Sequence, residues 1–158
     1  MSELKPASKR FQDAAKVLSL DTDVRGFAES SRTAEDAAAA CGCSVGQIVK
    51  SLVFRGAKTG QAVLLLVSGA NRVDEAGVAE QIGEPLVRPD AHFVRKATGY
   101  AIGGIPPLGH QTPLDTYMDQ DLLTHETIWA AAGTPNAVFS TSPTSLRDAA
   151  KATIIVVR

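Results

Sequence analysis

Two stretches of this chain have residue types that could do chemistry: Lys50, and the run Thr98-Gly99-Tyr100-Ala101-Ile102-Gly103-Gly104-Ile105-Pro106-Pro107-Leu108-Gly109-His110. The run holds four of the chain's 13 glycines and two of its 8 prolines. Glycine reaches positive φ and lets another group approach the main chain, whereas proline fixes φ and removes an N–H. Gly103-Gly104 followed by Ile105-Pro106-Pro107 therefore describes a shaped main-chain surface whose remaining N–H groups can point at a ligand. The plainer reading of the same composition is a tight connection between two strands. Lys50 stands directly before the apolar stretch Leu52-Val53-Phe54, so its stem can lie on apolar surface with the ammonium over a sheet edge. Taken alone, a lysine snorkelling from a helix C-terminus, where the dipole favours it, is the simpler account.

Other chemistry is sparse. There is no hydrolase nucleophile motif, phosphate-binding loop, dinucleotide fingerprint or zinc spacing, so neither a metal nor a cofactor is expected. His92 falls in a predicted helix and His125 in a charged loop. His110 ends the Gly/Pro run and is the histidine with a claim to a site, although a loop histidine more often binds a carbonyl. Cys41 and Cys43 are expected as reduced thiols near a helix end, with a redox pair as the sharper alternative. The lack of a Ser/His or Cys/His constellation argues against a small-molecule esterase.

The elements that must position these residues follow from periodicity. Phe11, Ala14, Ala15 and Leu18 are spaced i, i+3, i+4 and i+7, which predicts an amphipathic helix over 6–18. Residues 24–29 read as a short strand. Thr33 opens an Ala-rich, closely packed helix over 34–40 that Gly42 can end. Ser44 with Gln47 repeats the capping signature and predicts a short helix reaching Lys50. Strands are expected over 51–55 and 62–68, the second an unbroken apolar run suited to burial on both faces. A helix follows Asn71-Arg72 and stops at Gly83, another is capped by Asp90 and stops at Gly99. Strands over 116–118, 127–131 and 137–141, a helix from Ser142-Pro143 to about 151, and a strand over 153–157 complete the chain. Asp119, Asp121 and Glu126 read as a solvated edge. Elements interleave without a regular βαβ period, which predicts an α+β fold with a mixed, strongly curved sheet or partial barrel flanked by helices.

With 158 residues and a formal charge of -1, the chain is expected to form one domain over 1–158 and to lack a broadly basic surface. Any nucleic-acid contact must be a local patch, and DNA is not an expected partner. No stretch approaches the ~20 apolar residues of a membrane span, and the first residues lack the apolar core of a secretory signal, so a cytoplasmic protein is expected.

The ordered blocks Gly46-Gln47-Ile48-Val49-Lys50-Ser51-Leu52-Val53-Phe54, Arg72-Val73-Asp74, Thr98 through His110, and Trp129-Ala130-Ala131-Ala132-Gly133-Thr134-Pro135-Asn136-Ala137-Val138-Phe139 with Leu146 resemble the YbaK/prolyl-tRNA synthetase-associated editing domain family, over roughly 24–157. The resemblance implies a free-standing deacylase that hydrolyses the ester between a wrong small amino acid and the terminal adenosine of a tRNA, with proline tRNA the foremost candidate and a synthetase a possible partner. In the family the lysine matching Lys50 meets the tRNA 3′ end and the turn matching Gly103 to Pro107 lines the aminoacyl pocket. The implied catalytic set is Lys50, Gly103 and Gly104, with water as nucleophile and help from the ribose hydroxyl. Phe27, Ser68, Pro107, His110, Asn136 and Ser140 are the candidate substrate contacts. Two departures bear on specificity: Phe27 stands where some members have tyrosine, and Ala137-Val138-Phe139 where some have an aspartate. Arg55, Lys58, Arg72, Arg88, Arg95 and Lys96 form either a cationic patch for an acceptor stem or an ordinary mixed surface. A module that binds the tRNA end without hydrolysing it is the alternative function.

Overall fold

Ala62–Ser68 (β3) is the apolar run anticipated for a central strand, and it is buried from Val63 to Ser68. It has a neighbour on each edge: Ile48–Gly56 (β2), antiparallel, and Asp115–Asp119 (β5), parallel. The computed structural model describes residues 5–20, 22–27 and 33–158. Arg25–Gly26 (β1), Leu86–Val87 (β4), Ile128–Ala131 (β6), Ala137–Thr141 (β7) and Thr153–Ile155 (β8) complete a mixed, open eight-stranded sheet in the order β1-β7-β6-β2-β3-β5-β8, with β4 joined to β2. Alternation along β3 sends Leu64 and Leu66 into one core and Val63, Leu65 and Val67 into a second. The first core receives Phe11 and Ala15 of Pro6–Val17 (α1), Val94 of Ala91–Thr98 (α4) and Leu146 of Pro143–Ala150 (α5). The second receives Val78 of Glu75–Ile82 (α3).

Local capping signals hold. Thr33 accepts from the Asp36 N–H at 3.1 Å and opens Ala34–Cys41 (α2), Asp90 accepts from the Phe93 N–H at 2.8 Å, and Ser142 accepts from the Ser145 N–H at 3.2 Å. Helices α2, α3 and α4 all end on a left-handed glycine. Expectations that needed tertiary information fare less well. The Ser44 signature opens only a 3₁₀ turn, Val45–Gln47, because Ile48 and Val49 pair with β6 and turn the chain extended. Lys50 is therefore the third residue of a strand and no helix terminus supports it. In the Ala-rich α2 only Ala38 is buried, with Ala39 and Ala40 exposed. The strand expected over 24–29 pairs only at Arg25 and Gly26, and positions 28 and 29 lie outside the described residues. At the other end pairing stops at Ile155, since the Val157 carbonyl accepts from the Asp74 N–H and Val156 bonds the Gln81 side chain.

Strand β2 is the element that shapes the rest. Its β3 edge is paired from Val49 to Arg55. Its opposite edge meets β6 only at Ile48 and Val49 and β4 only at Arg55 and Gly56. The Ile48 carbonyl accepts from the Gly69 N–H on the β3 side at 2.7 Å, so by antiparallel alternation the main-chain groups of Ser51 and Val53 face the opposite way, into the gap between β6 and β4.

The Gly/Pro run connects α4 to β5, so it joins a helix to a strand and is not a link between two strands. Gly103 has φ +97° and Gly104 packs its Cα against the next loop, where a Cβ would lie 2.6–2.8 Å from the Thr134 main chain. Gly104→Ala is expected to destabilise the protein by about 1–3 kcal/mol, since backbone has to move on one side or the other. A urea midpoint unchanged from wild type would show that this contact does not hold the turn.

Candidate active site

The gap along β2 opens into a cleft of about 930 Å³. Residues 48–54 of β2 run along it, Trp129 to Ala131 of β6 and Ala137 and Val138 of β7 continue the surface, and Ala34 and Ala37 of α2 stand beside it. Arg72 and Arg88 reach it from the loops around α3 and β4, and Ile102, Gly103 and Pro135 form a further stretch of its lining. Ile102 is 60% exposed and adds an apolar side chain to the cleft lining. Lys50, Arg72 and Arg88 are cations, and among the described lining residues there is no carboxylate.

Lys50 is half-buried, and its Nζ donates to the Asn71 carbonyl at 2.6 Å. Desolvation pushes its pKa below the ordinary lysine value, opposed by the charges of Glu35 and Asp119 and reinforced by Arg72. The carbonyl that holds it is itself held. Asn71 Nδ2 donates to Asp119 and to Asp121, each at 2.8 Å, and Asp119 also accepts from the Ser68 N–H at 3.1 Å and the Asp121 N–H at 2.9 Å. Asp119 is 1% exposed, so the solvated edge expected there is instead a buried carboxylate bracing the loop that fixes Lys50. Asp121 fits the expectation better, since it is partly exposed and pairs with Arg158 at 3.0 Å.

The glycine turn presents main chain to the same cleft. The Gly104 N–H donates to the Ala101 carbonyl at 3.1 Å and is thereby occupied. Gly104 is buried behind the cleft lining and not on it. Gly103 does line the cleft, is exposed, and its N–H has no hydrogen-bond partner among the described residues. Ser51 also lines the cleft, and its Oγ is buried without a partner among the described residues.

The remaining expected contacts go elsewhere. Pro107 and His110 line a second hollow of about 640 Å³ with Leu18, Leu114 and Lys151. His110 Nε2 lies 2.7 Å from the Pro106 carbonyl, and desolvation lowers its pKa with that bond opposing. It holds the turn's shape from behind. Ser68 is buried, with its hydroxyl donating to the Gly46 carbonyl at 2.8 Å, and so braces the start of β2. Phe27 and Asn136 clamp each other: the Phe27 N–H donates to the Asn136 carbonyl at 2.7 Å and Asn136 Nδ2 donates to the Phe27 carbonyl at 3.1 Å. Ser140 lies opposite Trp129 in register, on the cleft's face of the sheet but outside its lining. Of the cationic set, Arg72 and Arg88 reach the cleft, Arg88 pairing with Glu75 at 3.3 Å, while the Arg55 guanidinium sits over the Phe93 ring. Cys41 and Cys43 are free thiols, and burial with the neighbouring Cys43 pushes Cys41 up to about 11. No group of His, Cys, Asp or Glu among the described residues could hold a metal ion. Asn71, Ser51, Trp129 and Asp119 are site residues that sequence reasoning passed over, and for Asp119 no local signal exists to find it.

Asp119→Ala removes an acceptor shared by three N–H donors and is expected to cost about 3 kcal/mol or more. Urea unfolding checks this, and a loss under about 1 kcal/mol would mean that the loop does not depend on the carboxylate.

The model of the aminoacyl-tRNA editing domain matches residues 28–149. A solved structure described as a candidate trans-editing enzyme for prolyl-tRNA synthetase superposes with a TM-score of 0.93 at 44% identity, over 99% of both chains. YwhH of Bacillus subtilis (strain 168), itself uncharacterised, is 31% identical over 128 residues, 81% of each chain. EbsC of Enterococcus faecalis (strain ATCC 700802 / V583), a candidate Cys-tRNA(Pro)/Cys-tRNA(Cys) deacylase, is 30% identical over 109 residues, 68% of this chain and 65% of that one. The chain belongs to the aminoacyl-tRNA editing domain family and, as a member, is an aminoacyl-tRNA hydrolase.

Proposed function

We propose that the protein acts in trans on tRNA carrying a wrong small amino acid, with proline tRNA the first candidate, and frees the amino acid by hydrolysis. The observation that carries this reading is the cleft itself: Lys50 and Gly103, whose N–H has no partner among the described residues, line one largely apolar hollow whose described lining has three cations and no carboxylate. Such a lining suits a phosphate-bearing ligand with an uncharged reacting group. Ala34, Ala37, Ala131 and Ala137 give the hollow apolar walls against which the side chain of alanine or cysteine can pack. A relative named for cysteine deacylation and a structure named for prolyl-tRNA synthetase editing support the same assignment.

With no nucleophilic side chain paired to a base, catalysis reduces to positioning and electrostatics. Water attacks the ester carbonyl, and the Gly103 N–H donates to the oxygen as negative charge develops on it. The C–O bond to the ribose then breaks, and the ribose oxygen recovers a proton as the amino acid leaves. Lys50 holds a phosphate or the ester region, and the neighbouring ribose hydroxyl orients the water. Removing a donor of this kind costs on the order of 10²-fold in kcat.

The deciding experiment is deacylation of tRNA charged with alanine, cysteine, serine, threonine or proline. One small amino acid is expected to be lost quickly, and about 10² times more slowly with Lys50→Ala. If every ester survives at the buffer rate, the hydrolytic reading fails for these substrates. The pH dependence has a definite sign. Activity that requires protonated Lys50 is full below its lowered pKa and falls as pH rises through it, so after subtraction of buffer hydrolysis the alkaline limb lies below the ordinary lysine range. Lys50→Arg should move that limb upward. A limb that stays in place would assign it to another group.

A further inference from the structure

Trp129 is the chain's single tryptophan, and neither core uses it. Its strand neighbours Ile128 and Ala130 are buried in the first core, whereas Trp129 is half-buried and lines the cleft from the other face. It pairs with Ile48 across the parallel β2–β6 contact. That register puts it on the Lys50 face, one strand across and two residues back, about 8 Å from Lys50 by strand spacing and rise. Arg25 approaches from β1, paired with Val138 and so on the same face, and its guanidinium lies 5.4 Å from the indole centroid. Among the described residues only an exposed ion pair to Asp23, at 3.7 Å, competes for that guanidinium, and an exposed pair of this kind holds it weakly.

We propose that Trp129 is the stacking platform for the adenine base of the tRNA's terminal nucleotide, and that Arg25 leaves the indole to meet the 5′ phosphate of that nucleotide. The assignment deepens the editing reading and rests on it for the identity of the nucleotide. An aromatic ring open to a cationic cleft offers a π-face to any base, and purines present the larger one. In an aminoacyl-adenosine the base and the ester are separated by one ribose, and Trp129 and Lys50 lie on adjacent strands of one face, two residues apart in register. A cation already seated on the indole marks the ring as an accessible, electron-rich face. Apolar walls beside Lys50 take the amino acid, and Arg72 and Arg88 remain for the preceding phosphates. Since every tRNA ends in adenosine, a platform of this kind holds the end common to all of them and leaves the choice of amino acid to the rest of the cleft.

The single tryptophan makes the test direct. AMP titrated into the intact protein, with emission excited at the indole's red edge, is expected to quench Trp129 saturably, and CMP to quench it at least several-fold less at equal concentration. Arg25→Ala should weaken AMP while leaving adenosine nearly unchanged. In deacylation, Trp129→Leu is expected to raise KM about 10- to 100-fold with kcat nearly kept, and Trp129→Phe to recover most of the loss. If Trp129→Leu does not fold, the AMP titration and the Trp129→Phe variant decide between them. Saturable quenching by AMP in a protein that hydrolyses no charged tRNA would uphold the subsite and sink the editing reading. Deacylation that proceeds while AMP leaves the indole emission unchanged, or with KM insensitive to Trp129, would overturn the subsite and spare that reading.

Discussion

Half-paired strand β2 is the constraint on which this structure depends. A strand in the middle of a sheet ordinarily has both edges filled, because an unpaired N–H or carbonyl buried away from water costs free energy. Here β3 fills one edge from Val49 to Arg55, and the other is closed only at its ends by β6 and β4. The interval between them cannot be closed by side chains alone, so it remains a cleft, and the main chain of Ser51 and Val53 becomes part of its wall. The glycine turn, the Trp129 strand and the loop bearing Arg72 converge on that interval.

Lys50 shows how such an opening is given a charge. Half burial disfavours the ammonium, and the chain compensates with a carbonyl at 2.6 Å and with the fields of Glu35 and Asp119. Asp119 does not touch the lysine. It acts through Asn71, whose amide it fixes and whose carbonyl receives the ammonium. A lysine held by a neutral carbonyl keeps its charge uncompensated at contact and has two further donors for a ligand, whereas a carboxylate in the same place would neutralise it.

Hydrogen bonds to main-chain carbonyls explain why several polar residues near the site sequence are structural. Ser68 and His110 both spend their polar atoms on main-chain carbonyls, and Asn136 uses its amide to tie β1 to the turn before β7. Each stabilises a backbone path that brings a functional neighbour into place: Ser68 the start of β2, His110 the turn carrying Gly103, and Asn136 the turn carrying Pro135. Polar character near a site motif therefore does not by itself mark a contact with substrate.

What the sequence determined by itself was local or periodic. The Thr33, Asp90 and Ser142 caps, the glycine stops, the apolar run of β3 and the mixed character of the sheet all follow from interactions within a few residues or from alternation along one strand. The ordered family blocks also pointed to Lys50 and Gly103, which do share the cleft. Tertiary structure alone decided the rest. Whether Ser44 opened a helix or a turn depended on β6, a strand some 80 residues later, pairing with Ile48 and Val49. Asp119 looked solvated because its three N–H partners come from Ser68, Asn71 and Asp121, and only the parallel β3–β5 pairing delivers the first two. Of two adjacent glycines, one N–H has no partner among the described residues and one is spent on Ala101, a distinction set by the turn's dihedral angles and by the Thr134 loop behind it, neither of which is written in the order of residues.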